Sequence, residues 1–496
     1  MEMFDTLYEA REITLIGVHD ERTGSIWHGY ARASGRTGVV LAGQNGPGAT
    51  NLVTGLDQAK AAYTPLVSIA GALASGHVYR DAFQELDQQA LFTPVTKKTW
   101  TATSADQVPE MMREAFRVAH TPRKGPTQLN PPRDVLSGQA DFGPMQTPET
   151  YRPVTAMAAT AQTIAKAARM LAEATRPVIM VGGATKTTGT GDNAMALAEA
   201  FNTPVVSSPG HGDAVPFGHP LNADHMGPRG NPVATRLVKE ADVILGLGTR
   251  NGFNATFHSY DNINRDAQII HVEQEPTAIG RYFPLTMGIL ADAPTVADQL
   301  VAEAKTLGRR AEADSWTETY RSERHAYLAK RDADAQVDIL PIQPSGLFKT
   351  LQDVLPKDAA VTMDAGTLCL QATDALSYWH PQRLFTPLDF GLVGFSFAAG
   401  LGVKLAMPDR PVISLMGDGG FGMTVSELST AVDHNINSVT VVMNNGCWGA
   451  EKAYQRDCFA ERYIGADISS PPFDTLAELY GAKGYRAQTL AEMAEP

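Results

Sequence analysis

The sequence predicts an α/β protein made of three doubly wound parallel-sheet domains. Three observations lead there. The 496 residues suit about three domains of roughly 100 to 200 residues each. Short β-branched runs that end in glycine alternate with alanine-rich helical stretches, the pattern of parallel sheets flanked by helices. Two polar connections, "FGPMQTPETYRP" and "TLGRRAEADSWTETYRSERHAYLAKRDA", divide that alternation into blocks. The second connection mixes acids and bases along its length and reads as a solvated helix.

Taken in order, the first domain covers 1–140, with strands expected at "ITLIGV" (13–18), "GVVLAG" (38–43), "PLVSIAG" (65–71) and "GPTQLNPPRDV" (125–135). The second covers 155–310, with strands at "PVIMVGG" (177–183), "TPVVSS" (203–208), "DVILGLG" (242–248) and "QIIHVE" (268–273), and helices such as "AMALAEAFN" between them. The third covers 341–496. There "PVISLM" (411–416) and "SVTVVM" (438–443) read as buried parallel strands. "TVSELSTAVDHN" (424–435) reads as the helix that joins them, with Thr424 and Glu427 at capping-box spacing.

Composition excludes several functions. With 41 basic against 54 acidic residues the net charge is -13, so nucleic acid is not an expected partner. The longest uncharged apolar stretch, 390–403, is glycine-rich and falls short of the roughly 20 residues needed to cross a bilayer. The acidic N-terminus lacks the order of a signal peptide. Cys369, Cys447 and Cys458 make neither a disulfide framework nor a CxxC site, which fits a reducing, cytoplasmic home.

The stretch "SLMGDGGFGMTVSEL" places Asp418 between glycines at the carboxyl end of a strand. The next strand ends at Asn444 and Asn445, and neighbouring strands lie about 4.8 Å apart, so both side chains can reach one ion. The carboxyl edge of an open parallel sheet is where ligands bind. A carboxylate with amide and carbonyl oxygens suits Mg²⁺, and Gly417, Gly419 and Gly420 let phosphate oxygens approach the backbone. Gly-Asp-Gly alone is an ordinary turn; the 24 residues between Gly419 and Asn444, followed by "NN", make the pattern specific.

That pattern resembles the diphosphate signature of thiamin diphosphate enzymes. "GYARASGRTGVVLAGQNGPGATNLVTGL", "DAFQELDQQALFTPVTKKTW", "GPTQLNPPRDV" and "GLVGFSFAAGLGVKLAMPDRPVISLMGDGGFGM" look like the pyrimidine-binding and diphosphate-binding domains of the acetolactate synthase superfamily. The resemblance spans nearly the whole chain, with the middle block as the central domain. Within the superfamily, "GQNGPG" and "WGAEK" look most like the sulfoacetaldehyde acetyltransferases. Those enzymes convert sulfoacetaldehyde and phosphate into acetyl phosphate and sulfite.

The resemblance assigns roles. Asp418 and Asn445 are implied side-chain ligands of Mg²⁺, with the backbone carbonyl of Cys447 as a third. Gly366 and Thr367 match a loop beside the diphosphate, and Val393 matches the bulky apolar residue that props the cofactor in its bent conformation. Gln84, in "DAFQE", matches a glutamine near the reacting centre. His19, His28, His77, Arg80, Lys97 and Lys98 are further cations that an anionic substrate or phosphate would suit, each also readable as a surface charge. Trp448 either overhangs the cofactor or packs in place.

The sequence departs from the family pattern where an acid should activate the cofactor by bonding its pyrimidine ring. That glutamate site falls on Asp20, with Glu21 beside it. Aspartate is one methylene shorter, about 1.5 Å, and adjacent residues of an extended strand face opposite sides. Either Asp20 or Glu21 takes the role, or both are surface acids. Both ends of the chain also look short for the family, so the first sheet is expected to be incomplete. These departures keep open a catalytically impaired thiamin diphosphate-binding paralogue; within the class, the rival reading is an acetolactate synthase-like carboligase acting on pyruvate or another 2-oxo acid. The resemblance further implies a homodimer or homotetramer. FAD is not expected: "GLGTRNG" (246–252) is GxGxxxG rather than GxGxxG and lacks a well-placed acid downstream.

Overall fold

Side chains on a strand point alternately to its two faces, and in the central sheet both faces are covered. A computed structural model describes residues 2–10, 12–18, 24–144, 146–152, 156–227, 230–307, 313–337 and 339–494. Its strands form three sheets. The first holds β1 (Gly38–Ala42), β2 (Leu66–Ala70), β3 (Lys98–Thr101) and β4 (Pro126–Asn130) in the order β1-β2-β4-β3. The second holds β5 (Pro177–Val181), β6 (Val205–Ser207), β7 (Asn222–His225), β8 (Val243–Leu247), β9 (Gln268–Glu273) and β10 (Met287–Leu290) in the order β10-β9-β8-β5-β6-β7. The third holds β11 (Ala360–Met363), β12 (Leu384–Phe385), β13 (Val412–Gly417) and β14 (Val439–Met443) in the order β12-β11-β13-β14. The sheets are parallel, and each carries a crossover in which consecutive strands are not neighbours: β2 and β3, β7 and β8, and β12 and β13.

The chain packs as two compact units. One comprises Met1–Val154, Val361–Gly366 and Phe385–Tyr485; the other comprises Thr155–Ala360, Thr367–Leu384 and Arg486–Pro496. The first and third sheets therefore belong to one unit.

The six-stranded sheet shows why its strands read as continuous apolar runs. Val178, Met180 and Ile244 face the helix Pro232–Glu240 through Val233 and Leu237. Their neighbours Ile179, Val181, Leu245 and Leu247 face the helices Gly191–Phe201 and Ala293–Leu307 through Leu197, Val296 and Leu300. Each such side chain contributes about 1.5–3 kcal/mol on burial, on both faces at once. Lys186 and Asp213, both fully enclosed, pair at 2.7 Å. Asp213 also accepts the backbone N–H groups of Arg383 and Leu384. The "GLGTRNG" turn is filled from within: Gly248 adopts φ +63 with Thr185 and Ala184 packed where a side chain would stand.

In the other unit, the helix Ser25–Ser34 crosses the helix Phe395–Ala406 in antiparallel sense. A Cβ on Gly402 would overlap the carbonyl of Ile26, and one on Gly29 would overlap the carbonyl of Ala399. The His28 ring meets Phe395 edge-on at 5.2 Å, and Arg32 donates to the carbonyl of Thr386. Glycine on both helices lets the backbones touch.

Two sequence expectations are corrected. "ITLIGV" is not a strand. Its Ile16 and Val18 pack with Phe397, Leu401 and Leu428, and the N–H of Gly17 donates to Nε2 of His434, so its apolarity serves helix packing. The helix after β13 begins at Asp418, runs to Thr424, and a second spans Glu427–Asp433. Thr424 thus ends a helix instead of capping one. Phe421, which stacks edge-on with Phe397 and Phe473, draws the glycine-rich segment into helical form.

Candidate active site

Strand register brings the aspartate and the asparagine pair to one sheet edge. β13 and β14 pair in parallel with Gly417 opposite Met443, so Asp418 and Asn444 are the first residues beyond matched strand ends. Asp418 is buried. Its Oδ2 accepts the N–H of Gly446 at 3.1 Å and the hydroxyl of Ser470 at 2.7 Å. Its Oδ1 is enclosed and has no hydrogen-bond partner among the described residues. A buried carboxylate oxygen left unpaired costs free energy, and a cation is the partner that suits it.

The other proposed oxygen ligands lie next to this carboxylate in the chain fold. Asn445 and Cys447 flank Gly446, whose φ of +65 suits glycine. Asn445 is exposed, and its Oδ1 accepts the N–H of Cys447 at 3.2 Å. Burial pushes the Cys447 thiol above its ordinary pKa, with Asp418 and Asp467 adding to the effect and Lys452 opposing it. The thiol is therefore held in its neutral form, and the backbone is the part of Cys447 that suits a hard cation. No three His, Cys, Asp or Glu side chains cluster as a metal site among the described residues. One carboxylate with amide and carbonyl oxygens is the available donor set.

The glycines are dictated by their neighbours. A Cβ on Gly419 would come within 2.5 Å of the Trp448 ring, so Trp448 packs over the glycine segment. A Cβ on Gly420 would overlap Oδ2 of Asp364. Asp364, at the end of β11, accepts from the N–H groups of Ala365, Gly394 and Phe395 at 2.9 to 3.1 Å. Burial raises its pKa to about 7, against the opposing pull of those backbone donors. Val393 is half-buried between Gly391 (φ +89) and Gly394 (φ +82), in the turn that Asp364 holds. Gly366 is exposed with φ +99. Thr367, the next residue, opens the helix Thr367–Ala375 and belongs to the other unit.

Gln84 lies at the carboxyl edge of the first sheet with φ +62. Its amide donates to Gln44 at 3.3 Å and its carbonyl accepts from Asn45 at 2.8 Å, so "GQNGPG" and "DAFQE" meet. The Glu85 carboxylate fastens this loop through the N–H groups of Tyr79 and Ala82, which lower its pKa. Asp20, Glu21 and His19 lie outside the described residues.

Among the remaining cations, three have other partners. Lys97 donates to Val118 and Thr121, Lys98 pairs with Glu114 at 2.6 Å, and His28 is sealed inside the helix crossing. His77 and Arg80 are exposed.

Sequence reading missed Asp364 and Ser470. Asp364 had a visible signal: like Asp418, it is an acid that ends an apolar strand. Ser470, in "ISSPPF", carried none.

Three family models match the chain: the thiamine pyrophosphate enzyme N-terminal TPP binding domain over 1–91, the central domain over 164–300, and the C-terminal TPP binding domain over 364–496. A sulfoacetaldehyde acetyltransferase from Castellaniella defragrans is 33% identical over 94% of this chain and 80% of its own length. One from Alcaligenes xylosoxydans xylosoxydans is 32% identical over the same shares. A probable acetolactate synthase large subunit from Methanocaldococcus jannaschii is 31% identical over all of this chain and 84% of its own. The fold and the matched domains define a thiamin diphosphate-dependent enzyme. The chain belongs to the acetolactate synthase superfamily of such enzymes.

Proposed function

We propose that the chain is a thiamin diphosphate and Mg²⁺ dependent transferase that converts sulfoacetaldehyde and phosphate into acetyl phosphate and sulfite. The observation that carries the metal assignment is the enclosed, unpartnered Oδ1 of Asp418 at a glycine-lined sheet edge. The substrate assignment rests on "GQNGPG" and "WGAEK", and on the relatives named sulfoacetaldehyde acetyltransferase.

In this reading Asp418, Asn445 and the Cys447 carbonyl hold Mg²⁺, and Gly417, Gly419 and Gly420 admit the diphosphate to backbone approach. Gly366 and Thr367 would serve the diphosphate, and Val393 would support the cofactor. When bound, thiamin diphosphate supplies a carbon nucleophile that adds to the substrate carbonyl. Gln84 and the Gln44–Gly46 segment orient the small anionic substrate, and Asp20 or Glu21 holds the proton at the pyrimidine ring. The domains are pyrimidine-binding over 1–140, central over 155–310 and diphosphate-binding over 341–496, and the enzyme works in the cytoplasm without FAD.

The family resemblance implies a homodimer or homotetramer, in which a second copy contributes to the cofactor site. Among the described residues no helix is long and apolar enough to cross a membrane.

The acetolactate synthase relatives favour a second reading, a carboligase acting on pyruvate or another 2-oxo acid. Purified protein with thiamin diphosphate, Mg²⁺ and sulfoacetaldehyde is expected to release sulfite only when phosphate is present. Carbon dioxide release from pyruvate without phosphate-dependent sulfite would replace the first reading by the second. Cofactor binding with no exchange of its C2 proton would point to an impaired paralogue.

A further inference from the structure

We propose that Ser470 is a positioning residue for the metal: its hydroxyl fixes the Asp418 carboxylate so that Oδ1 is presented to the cation. The inference rests on the thiamin diphosphate and Mg²⁺ reading above and assigns a residue outside the motifs that carry that reading.

A carboxylate turns about a broad, two-fold torsion, so something must choose its orientation before a metal arrives. Here two donors converge on the same oxygen, the Gly446 N–H at 3.1 Å and the Ser470 hydroxyl at 2.7 Å. Both bonds are charge-assisted, and an O–H donor at that length is among the stronger kinds. They leave Oδ1 buried and unpartnered. One oxygen is anchored and the other is kept for a ligand, the division of labour by which outer groups orient a metal-binding carboxylate.

Ser470 is well placed to report on the rest of the metal loop. The segment that carries it runs back along residues 446–448. Ile468 donates to the carbonyl of Gly446 at 2.9 Å, and Trp448 donates to the carbonyl of Ala466 at 2.7 Å. Cys447 and Asp467 form an antiparallel bridge between those bonds, and Lys452 reaches Asp467 at 2.5 Å. This strap sets Asn445 and Cys447 and delivers Ser470 to Asp418 in the same movement. Metal ligands 27 to 29 residues apart in sequence (445 and 447 against 418) are thereby held by a third segment.

The test measures thiamin diphosphate binding by calorimetry across a Mg²⁺ titration, with no turnover required. Ser470→Ala should raise the Mg²⁺ concentration for half-maximal cofactor binding by about 10- to 100-fold, with the thermal midpoint of the cofactor-free protein unchanged. Ser470→Thr, which keeps the hydroxyl, should restore the wild-type requirement; a purely packing role would not predict that rescue. An unchanged Mg²⁺ requirement in Ser470→Ala, alongside a Mg²⁺-dependent wild type, overturns this inference alone. Wild-type binding that ignores Mg²⁺ overturns both it and the metal assignment beneath it.

Discussion

Asp364 fills the space in which Gly420 would carry a side chain, so the end of β11 and the diphosphate-edge helix touch without room for a methyl group. The same carboxylate holds the N–H groups of Gly394 and Phe395. Gly420→Ala must therefore push Asp364 off those donors and loosen the turn that carries Val393. Overpacking of this kind costs about 1–3 kcal/mol, and thiamin diphosphate affinity should fall at least about tenfold, since 1.4 kcal/mol is a factor of ten. Urea unfolding and calorimetric binding of the variant check both; wild-type values would show that the contact carries no weight.

The helix crossing makes a sharper stability prediction. Gly402→Ala sets a methyl group into the carbonyl of Ile26, and Gly29→Ala sets one into the carbonyl of Ala399. Backbone cannot swing aside as a side chain can, so each variant should lose at least about 1–3 kcal/mol. Gly76→Ala, in an exposed turn with nothing near its Cβ, should change stability by less than about 0.5 kcal/mol. Equal thermal midpoints for all three would contradict the close crossing.

These contacts mark the boundary of what the sequence discloses. Asp418 is legible because it follows an apolar strand directly, and Asn445 because it lies one residue past Asn444 at the end of the next; parallel register does the rest. Ser470 and Asp364 act on residues 52 and 30 positions away, through backbone paths that no local pattern encodes. "ITLIGV" misleads for a related reason: a short apolar run that covers a helix pair looks the same as one that enters a sheet. The second acid, at Asp20 or Glu21, is identified by neither route.

Trp448 gives a signal that can be followed without turnover. Its ring lies over Gly419, and its backbone N–H donates to the carbonyl of Ala466 in the strap. A diphosphate and cation arriving between Asp418 and Asn445 change the polarity beside that ring. Intrinsic fluorescence should shift when thiamin diphosphate and Mg²⁺ are added together. Trp448→Phe should abolish the shift while leaving cofactor affinity within about threefold, the larger ring loss being at the site's margin (about 0.7 kcal/mol at 1.4 kcal/mol per tenfold). A shift that persists in Trp448→Phe would place the reporter at another tryptophan.

The pH dependence of stability should show two opposed contributions. Burial, then Arg152, Lys124 and Lys97, lower the pKa of His120 to about 4, from an ordinary value near 6.5. Burial and Arg32 hold His28 well below its ordinary value too. A histidine depressed in the folded state binds fewer protons there than in the unfolded chain, so its stabilisation is present above pH of about 6.5 and is lost as the pH falls toward 4. Asp364, raised to about 7, acts the other way: its contribution is full at low pH and is lost as the pH rises from about 4 to 7. The separate profiles emerge from differences between wild type and variants. For His120→Gln, which keeps a hydrogen-bonding group for the Thr37 hydroxyl 2.6 Å away, the wild-type advantage in urea unfolding should grow between pH 4 and 6.5. For Asp364→Asn it should shrink between pH 4 and 7. A flat His120→Gln difference would mean that the imidazole is not held neutral by its surroundings.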